Sequence, residues 1–176
     1  MGQDKALLPV GKSTLLDFMQ HKLDAIKLFD EIVVCRSQPD QSATNTVLPD
    51  IHPGLGPIGA LHTLSVHYPN RHALVVPVDM PLLQATLLKE LCNIDSGQYP
   101  ASHYEGYQFP LLLYLNETTI FHLAKRLKHH MPDLSIASLL RDIDARQLAP
   151  PKDKSQFANL NKPEQWQDFR QKIKFD

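Results

Sequence analysis

Cysteine is nearly absent from this sequence: Cys35 and Cys92 are the two in 176 residues, far apart and without CxxC spacing. That excludes a disulfide framework and a cysteine-based zinc or redox motif, and it fits a reduced, cytoplasmic setting. Net charge is equally scarce, −1 at neutral pH, and no Lys/Arg-rich run occurs. A nucleic-acid partner and an anionic membrane surface are therefore not expected, whereas a small phosphorylated substrate needs only a local basic site. No apolar run is long enough to span a bilayer, and no signal peptide is recognisable. Internal repeats and low-complexity linkers are missing too. The nine histidines show neither HExxH nor HxxxH spacing; His62 and His67 are five apart and would not share a helix face, which argues against zinc. What remains is an ordinary globular composition, 43% hydrophobic and 21% charged. A chain of this length suits one domain, 1–176, able to bury about 70% of its unfolded surface.

The pattern that is present is α/β. The stretch His72 to Leu83, HALVVPVDMPLL, opens with an unbroken apolar run, Ala73 to Val78, as expected of a strand covered on both faces. It stops at Asp79, because Pro81 cannot continue a ladder. Ser13 or Thr14 can cap a helix that buries Leu15, Leu16, Met19, Leu23 and Ile26. Strands are expected at Glu31–Cys35 and Thr46–Leu48, with a polar loop from Arg36 to Asn45 between them. A Gly/Pro loop then feeds a helix from about Pro57. Beyond Asp79 come a helix near Gln84–Cys92, strands at Gln98–Ser102 and Phe109–Leu115, and a helix from Glu117 to His130. The basic end of that helix, Lys125, Arg126, Lys128, His129 and His130, favours the macrodipole. A short helix from Ser135 to Ile143, an extended piece at Phe157–Asn161 and a last helix through Trp166 and Phe169 complete the chain. Early strand–helix alternation with later crowding of strands predicts an α/β fold with a mixed sheet.

Four features bear on chemistry, and each has a plainer alternative. Asp79 stands where parallel sheets present ligands, beyond a strand's carboxyl end. A carboxylate there can hold Mg²⁺ with substrate phosphates, or simply serve a turn. Gly54-Leu-Gly56-Pro-Ile-Gly59 matches GxGxxG, with Asp79 at about the spacing of a ribose-binding acid. A dinucleotide fingerprint, however, needs its first glycine directly after a strand, and Asp50 to Pro53 intervene. The loop is then either structural or shaped for close approach of a ligand to backbone. Asp4-Lys5, followed by Ala6-Leu-Leu8, suggests a placed phosphate contact rather than a solvated lysine. Asn161 can cap the last helix; Asn159, on the same face if extended, has no such role.

Taken in order, MGQDKALLPVGKSTLL, DIHPGLGPIGAL, VVPVDMPLL and FANLNKPEQW resemble the molybdenum cofactor guanylyltransferases, and the resemblance runs over nearly the whole chain. It implies a three-layer α/β/α Rossmann-like nucleotidyltransferase domain with a mixed, mostly parallel sheet. The implied reaction is transfer of GMP from GTP to the phosphate of molybdopterin, with Mg²⁺, releasing pyrophosphate. Cofactor-assembly proteins or chaperones of recipient molybdoenzymes are implied partners. Lys5 would contact the phosphates and act in catalysis, and Asp79 would be catalytic and ligate Mg²⁺. Asp50, Gly56 and the residue at Cys35 would belong to the nucleotide site, and Asn159 and Asn161 to the substrate side. Two departures stand out. Cys35 replaces an expected Asn and is a weak hydrogen bonder. The family also begins with a strand and a Leu-Ala-Gly-Gly loop ahead of Met-Gly-x-Asp-Lys, whose methionine is Met1 here, so the expected sheet lacks its first, central strand. A cytidylyltransferase, a sugar-phosphate nucleotidyltransferase and a non-catalytic nucleotide-binding or interaction protein are the alternatives.

Overall fold

The computed structural model describes residues 4–36, 46–94, 98–128 and 133–172. After a short 3-10 turn at Lys5–Leu7, a two-residue hairpin, β1 (Pro9–Val10) with β2 (Ser13–Thr14), turns at Gly11, whose φ is +61°. Thr14 then opens α1 (Leu15–Asp24) through a capping box with Asp17, two reciprocal bonds that satisfy N-terminal donors. Next come the parallel pair β3 (Val33–Arg36) and β4 (Thr46–Pro49), α2 (Gly56–His67) with a proline in its first turn, and β5 (His72–Val75). The second half holds α3 (Ala85–Cys92), β6 (Ala101–Tyr104), β7 (Leu111–Tyr114), α4 (Glu117–Lys128), α5 (Ile136–Asp142), β8 (Arg146–Leu148) and α6 (Pro163–Lys172).

The leucines of β7 dictate the layering. Side chains alternate along a strand, so Leu111 and Leu113, with Leu115 beyond, enter one core with Ile58 and Leu61 of α2, Leu123 of α4 and Leu139 of α5. Leu112 points the other way, into a second core with Leu87, Leu88 and Leu91 of α3 and with Phe157. A third cluster joins Val10, Leu15 and Met19 to Leu160 and Phe169. Helices thus cover both faces of the sheet. Among the described residues, no helix is long and apolar enough to cross a membrane.

The four-stranded sheet runs β5-β7-β6-β8, while β3-β4 stand apart as a second group. The four-stranded sheet is mixed, as expected, with one parallel ladder (β6·β8) and two antiparallel ones (β5·β7 and β6·β7), while the separate pair β3·β4 is parallel, so parallel ladders are not the majority among the described strands. The reason is β7, which enters beside β5 in the antiparallel sense. No described backbone bond joins β3 to β5, and both strands border a cavity of about 820 Å³ lined by residues 32–35 and 73–78. The expectation that Ala73–Val78 is covered on both faces needs correction. The ladder stops at Val75, ahead of Pro77, and 73–78 are half-buried because one side opens onto that cavity. By contrast β6 is fully buried and β7 nearly so.

Other differences are local. Arg36 is the last residue of β3, not the start of a loop; the rest of that loop, 37–45, lies outside the described residues, as do 1–3, His129 and His130. The extended piece expected at Phe157–Asn161 begins one residue later, after a 3-10 turn, Lys154–Phe157, and joins no ladder among the described residues. The hairpin β1·β2 and strand β8 were not expected, being too short to show periodicity. Arg126 belongs to the basic end of α4 expected to favour the macrodipole, and it also has a packing role. It is completely buried, donating to Asp142 at 2.6 Å, to Ser138 and to the carbonyl of His122, and so ties α4 to α5.

Candidate active site

The site has two ends, and the first is built of charge. Lys5 opens the 3-10 turn Lys5–Leu7, stabilised by the Asp4 carboxylate accepting from the N–H of Ala6. Pro77 stops β5, and the turn that follows presents Asp79. The N–H of Leu160 donates to the carbonyl of Asp79 at 2.8 Å, which lays the segment after Phe157 along this turn. The Lys5 ammonium consequently donates to Asp79 Oδ2 at 2.9 Å and also to Asn161 Oδ1. Residues 74 and 156 positions apart in sequence meet at one cationic centre. The helix-cap alternative for Asn161 gives way here: Gln165 Oε1 accepts from the N–H groups of Asn161 and Lys162, leaving the Asn161 side chain for Lys5. Asn159 is exposed, and its carbonyl accepts from the Asn161 N–H at 3.1 Å. The Lys5 and Asp79 side chains are 31% and 18% exposed, so the pair adds about 1 kcal/mol or less to stability. Its position matters more than its strength.

The second end is a pocket of about 660 Å³ lined by Asp4, Cys35, Arg36, Asp50, Gly54, Gly56, Pro57 and Ala60. Parallel pairing of β3 with β4 sets Arg36 opposite Pro49, which brings Cys35 and Arg36 alongside Asp50. The intervening loop is pinned where the N–H of Ile51 donates to Thr63 Oγ1 at 2.9 Å. Gly54 and Gly56 have φ of +85° and +58°, the left-handed region that side chains resist. A Cβ on either would meet nothing within 4 Å, so both face open space. Gly59 is needed for another reason: a Cβ there would lie 2.9 Å from the carbonyl oxygen of His52. Burial, aided by the Asp50 carboxylate, pushes the Cys35 thiol up to about 11, so it stays protonated at neutral pH. The two ends are joined by Arg36, whose Nη2 donates to Asp4 Oδ2 at 2.6 Å.

Lys5, Asp79 and Asn161 thus form one cluster, and Cys35, Asp50 and Gly56 line one pocket. The MobA-like NTP transferase domain matches residues 1–148 of this sequence. The chain belongs to that family. The molybdenum cofactor guanylyltransferase of Xanthomonas euvesicatoria is 32% identical over 168 residues, covering 94% of this chain and 85% of that protein. In structure the chain is similar to molybdopterin-guanine dinucleotide biosynthesis protein A of Archaeoglobus fulgidus, with a TM-score of 0.75 and 17% identity over 97% of this chain and 90% of that one. A cytidylyltransferase of Leptospira borgpetersenii shares the fold at a TM-score of 0.72 and 15% identity, over 94% of this chain and 78% of that one. As in the expectation from sequence, this MobA-like NTP transferase is a mixed α/β domain.

For a divalent cation, the donor set fits a site completed by substrate. Among the described residues no group of three or more His, Cys, Asp or Glu could hold a metal ion. Mg²⁺ commonly takes only one or two carboxylates and relies on phosphates for the rest. Asp79 Oδ2 and Asn161 Oδ1 already converge on one cation, the Lys5 ammonium. The residue that reading by motif missed is Arg36, hidden by its assignment to a loop. Its one sequence signal is a cation at the end of an apolar strand, next to Cys35.

Proposed function

We propose that this chain transfers GMP from GTP to the terminal phosphate of molybdopterin, with release of pyrophosphate. The observation that carries the reading is the convergence of Lys5, Asp79 and Asn161 beside a pocket lined by Asp50, Gly54 and Gly56. An oxygen of the molybdopterin phosphate forms a bond to the α-phosphorus, and the bond from that phosphorus to the bridging oxygen breaks, its electron pair leaving with pyrophosphate. Such transfer needs positioning and charge stabilisation more than a side-chain nucleophile. Lys5 contacts the phosphates and offsets charge gathering on the departing pyrophosphate. Asp79 would hold Mg²⁺, which when bound supplies further neutralisation at the phosphates. Asn161 and Asn159 line the pterin side, and Asp50 with the glycine loop receives the guanosine.

The cavity between β3 and β5 bears on the same reading. Its flanking strands are apolar and lack ladder partners on the sides facing it among the described residues, a geometry that accepts one extended strand. A strand there would carry backbone N–H groups toward the Lys5 end, where they could cradle a triphosphate. A strand-forming peptide that fills this cavity should raise both the thermal midpoint and GTP affinity; no change in either would remove this strand site.

The test of function is turnover. The purified chain with α-labelled GTP, Mg²⁺ and molybdopterin should label the pterin product and release pyrophosphate. Labelling from CTP but not GTP would move the assignment to a cytidylyltransferase. GTP binding without turnover would leave a nucleotide-binding module.

A further inference from the structure

The pocket that receives the guanosine holds one more group whose placement has a chemical consequence. Arg36 closes β3 with its side chain only 17% exposed. Nη2 is taken by Asp4, but Nη1 is buried and has no acceptor among the described residues. A buried, unsatisfied guanidinium N–H is costly, and such groups persist where a ligand supplies the missing acceptor. The lining also restricts which acceptor this is. It carries one guanidinium and two carboxylates, Arg36 against Asp4 and Asp50, while Lys5 and Asp79 lie outside it. A phosphate would meet net negative charge there, and the pairing with Asp4 has already spent the arginine's attraction for anions. A neutral acceptor has no such penalty. The walls suit a flat ring: Pro57 and Ala60 on the helix, and Gly54 and Gly56 with no side chain between backbone and ligand.

On the guanine-nucleotide reading above, we infer that Arg36 reads the base, its Nη1 donating to O6 of a 6-oxopurine while Asp4 holds the guanidinium in place. Guanine O6, like N7, is an acceptor well matched to arginine. Adenine carries an amino group at that position and cytosine one at N4, so either would set donor against donor and leave Nη1 unsatisfied. Arg36 is thus a specificity residue, and Asp4, which does not itself contact the base, a positioning residue. The division of labour with Asp50 is complementary. A carboxylate accepts from the N1–H and 2-amino edge, whereas the guanidinium donates to the 6-oxo edge.

Four nucleotides separate these roles by calorimetry: GTP, ITP (6-oxo, no 2-amino), 2,6-diaminopurine riboside triphosphate (2-amino, no 6-oxo) and ATP. The native chain should prefer GTP and ITP over their 6-amino counterparts. In Arg36→Met the two 6-oxo nucleotides should lose about 10- to 100-fold in affinity while the 6-amino pair changes little, collapsing the preference. Arg36→Lys, which keeps a cation beside Asp4 should Met prevent folding, is expected to lose most of the same preference. Asp4→Asn should reduce it partially. An unchanged 6-oxo preference in both Arg36 variants overturns the inference, and so does equal weakening of all four nucleotides. If the native chain binds ATP as well as GTP, or no purine nucleotide at all, the guanine reading itself fails and the role of Arg36 falls with it.

Discussion

The two ends of the cleft are built differently. The Lys5 end is assembled from three remote segments, and its side chains are partly solvated, held by one ion pair and one amide contact. The Asp50 end comes mostly from one continuous stretch, β4 through α2, with β3 beside it, and its shape depends on backbone: two left-handed glycines and a third too crowded for any Cβ. One end is therefore a matter of charge placed on a finished scaffold, the other of scaffold itself. Substitutions at the first should cost chemistry without stability, and at the second both together.

The sharpest test of that contrast is Asp79→Asn. Removing one electrostatic group at a phosphoryl-transfer centre should lower GMP transfer by about 10²- to 10³-fold. The thermal midpoint should move by no more than a few degrees, since the ion pair it breaks is half-solvated. Activity within a few-fold of the native chain removes Asp79 from the site. A large loss of stability would instead make the Lys5 end as structural as the other.

Gly59→Ala should behave in the opposite way. Its new Cβ lies 2.9 Å from the His52 carbonyl, a backbone atom that cannot rotate aside. Overpacking of this kind costs about 1–3 kcal/mol, a fall of several degrees at this size. GTP affinity should drop with it, because the displaced loop carries Gly54 and Gly56. A stable variant with weakened GTP binding would show that the loop is shaped for ligand alone.

The smallest expected effect is a pH dependence confined to the loop end. The His62 ring lies 5.2 Å from that of His52 between centroids, tilted by 54°, and its Nδ1 is buried. Burial, then the neighbouring His52, holds its pKa below the ordinary 6.5. The folded state therefore resists protonation that the unfolded chain accepts. This contribution is complete above about pH 6.5 and declines as pH falls below it, levelling off beneath the folded pKa. Melting curves between pH 5 and 8 should show His62→Gln with a shallower acid-side decline than the native chain. Identical slopes would mean that the ring pair is not felt.

How far the sequence reached can be judged from β5 and β7. Ala73–Val75 and Leu111–Leu113 are both short apolar runs, and both are strands. Composition distinguishes neither, yet β7 is buried between two helical layers while β5 is half-open, because its other side borders a cavity rather than a ladder. A strand's burial depends on its neighbours, and neighbours are a long-range property. The same limit explains Arg126, which in sequence is one of several basic residues at a helix end until α5 supplies Asp142.

Sequence by itself determined the types of the longer elements, a cap on α1 from Ser13 or Thr14 and the glycine requirement of the 54–59 loop. Each of these rests on interactions between residues close along the chain, where hard-sphere limits and local hydrogen bonds decide. It also brought Lys5, Asp79, Asp50 and Asn161 forward as candidates by motif. Only the tertiary structure decided that Asn161 turns to Lys5 while Gln165 serves the helix start, that Cys35 and Asp50 share a wall, and that Arg36 reaches back to Asp4. The Cys35–Asp50, Arg36–Asp4 and Lys5–Asn161 pairings join residues 15, 32 and 156 positions apart. No local rule specifies them, because they exist only once packing of the sheet has brought the segments together.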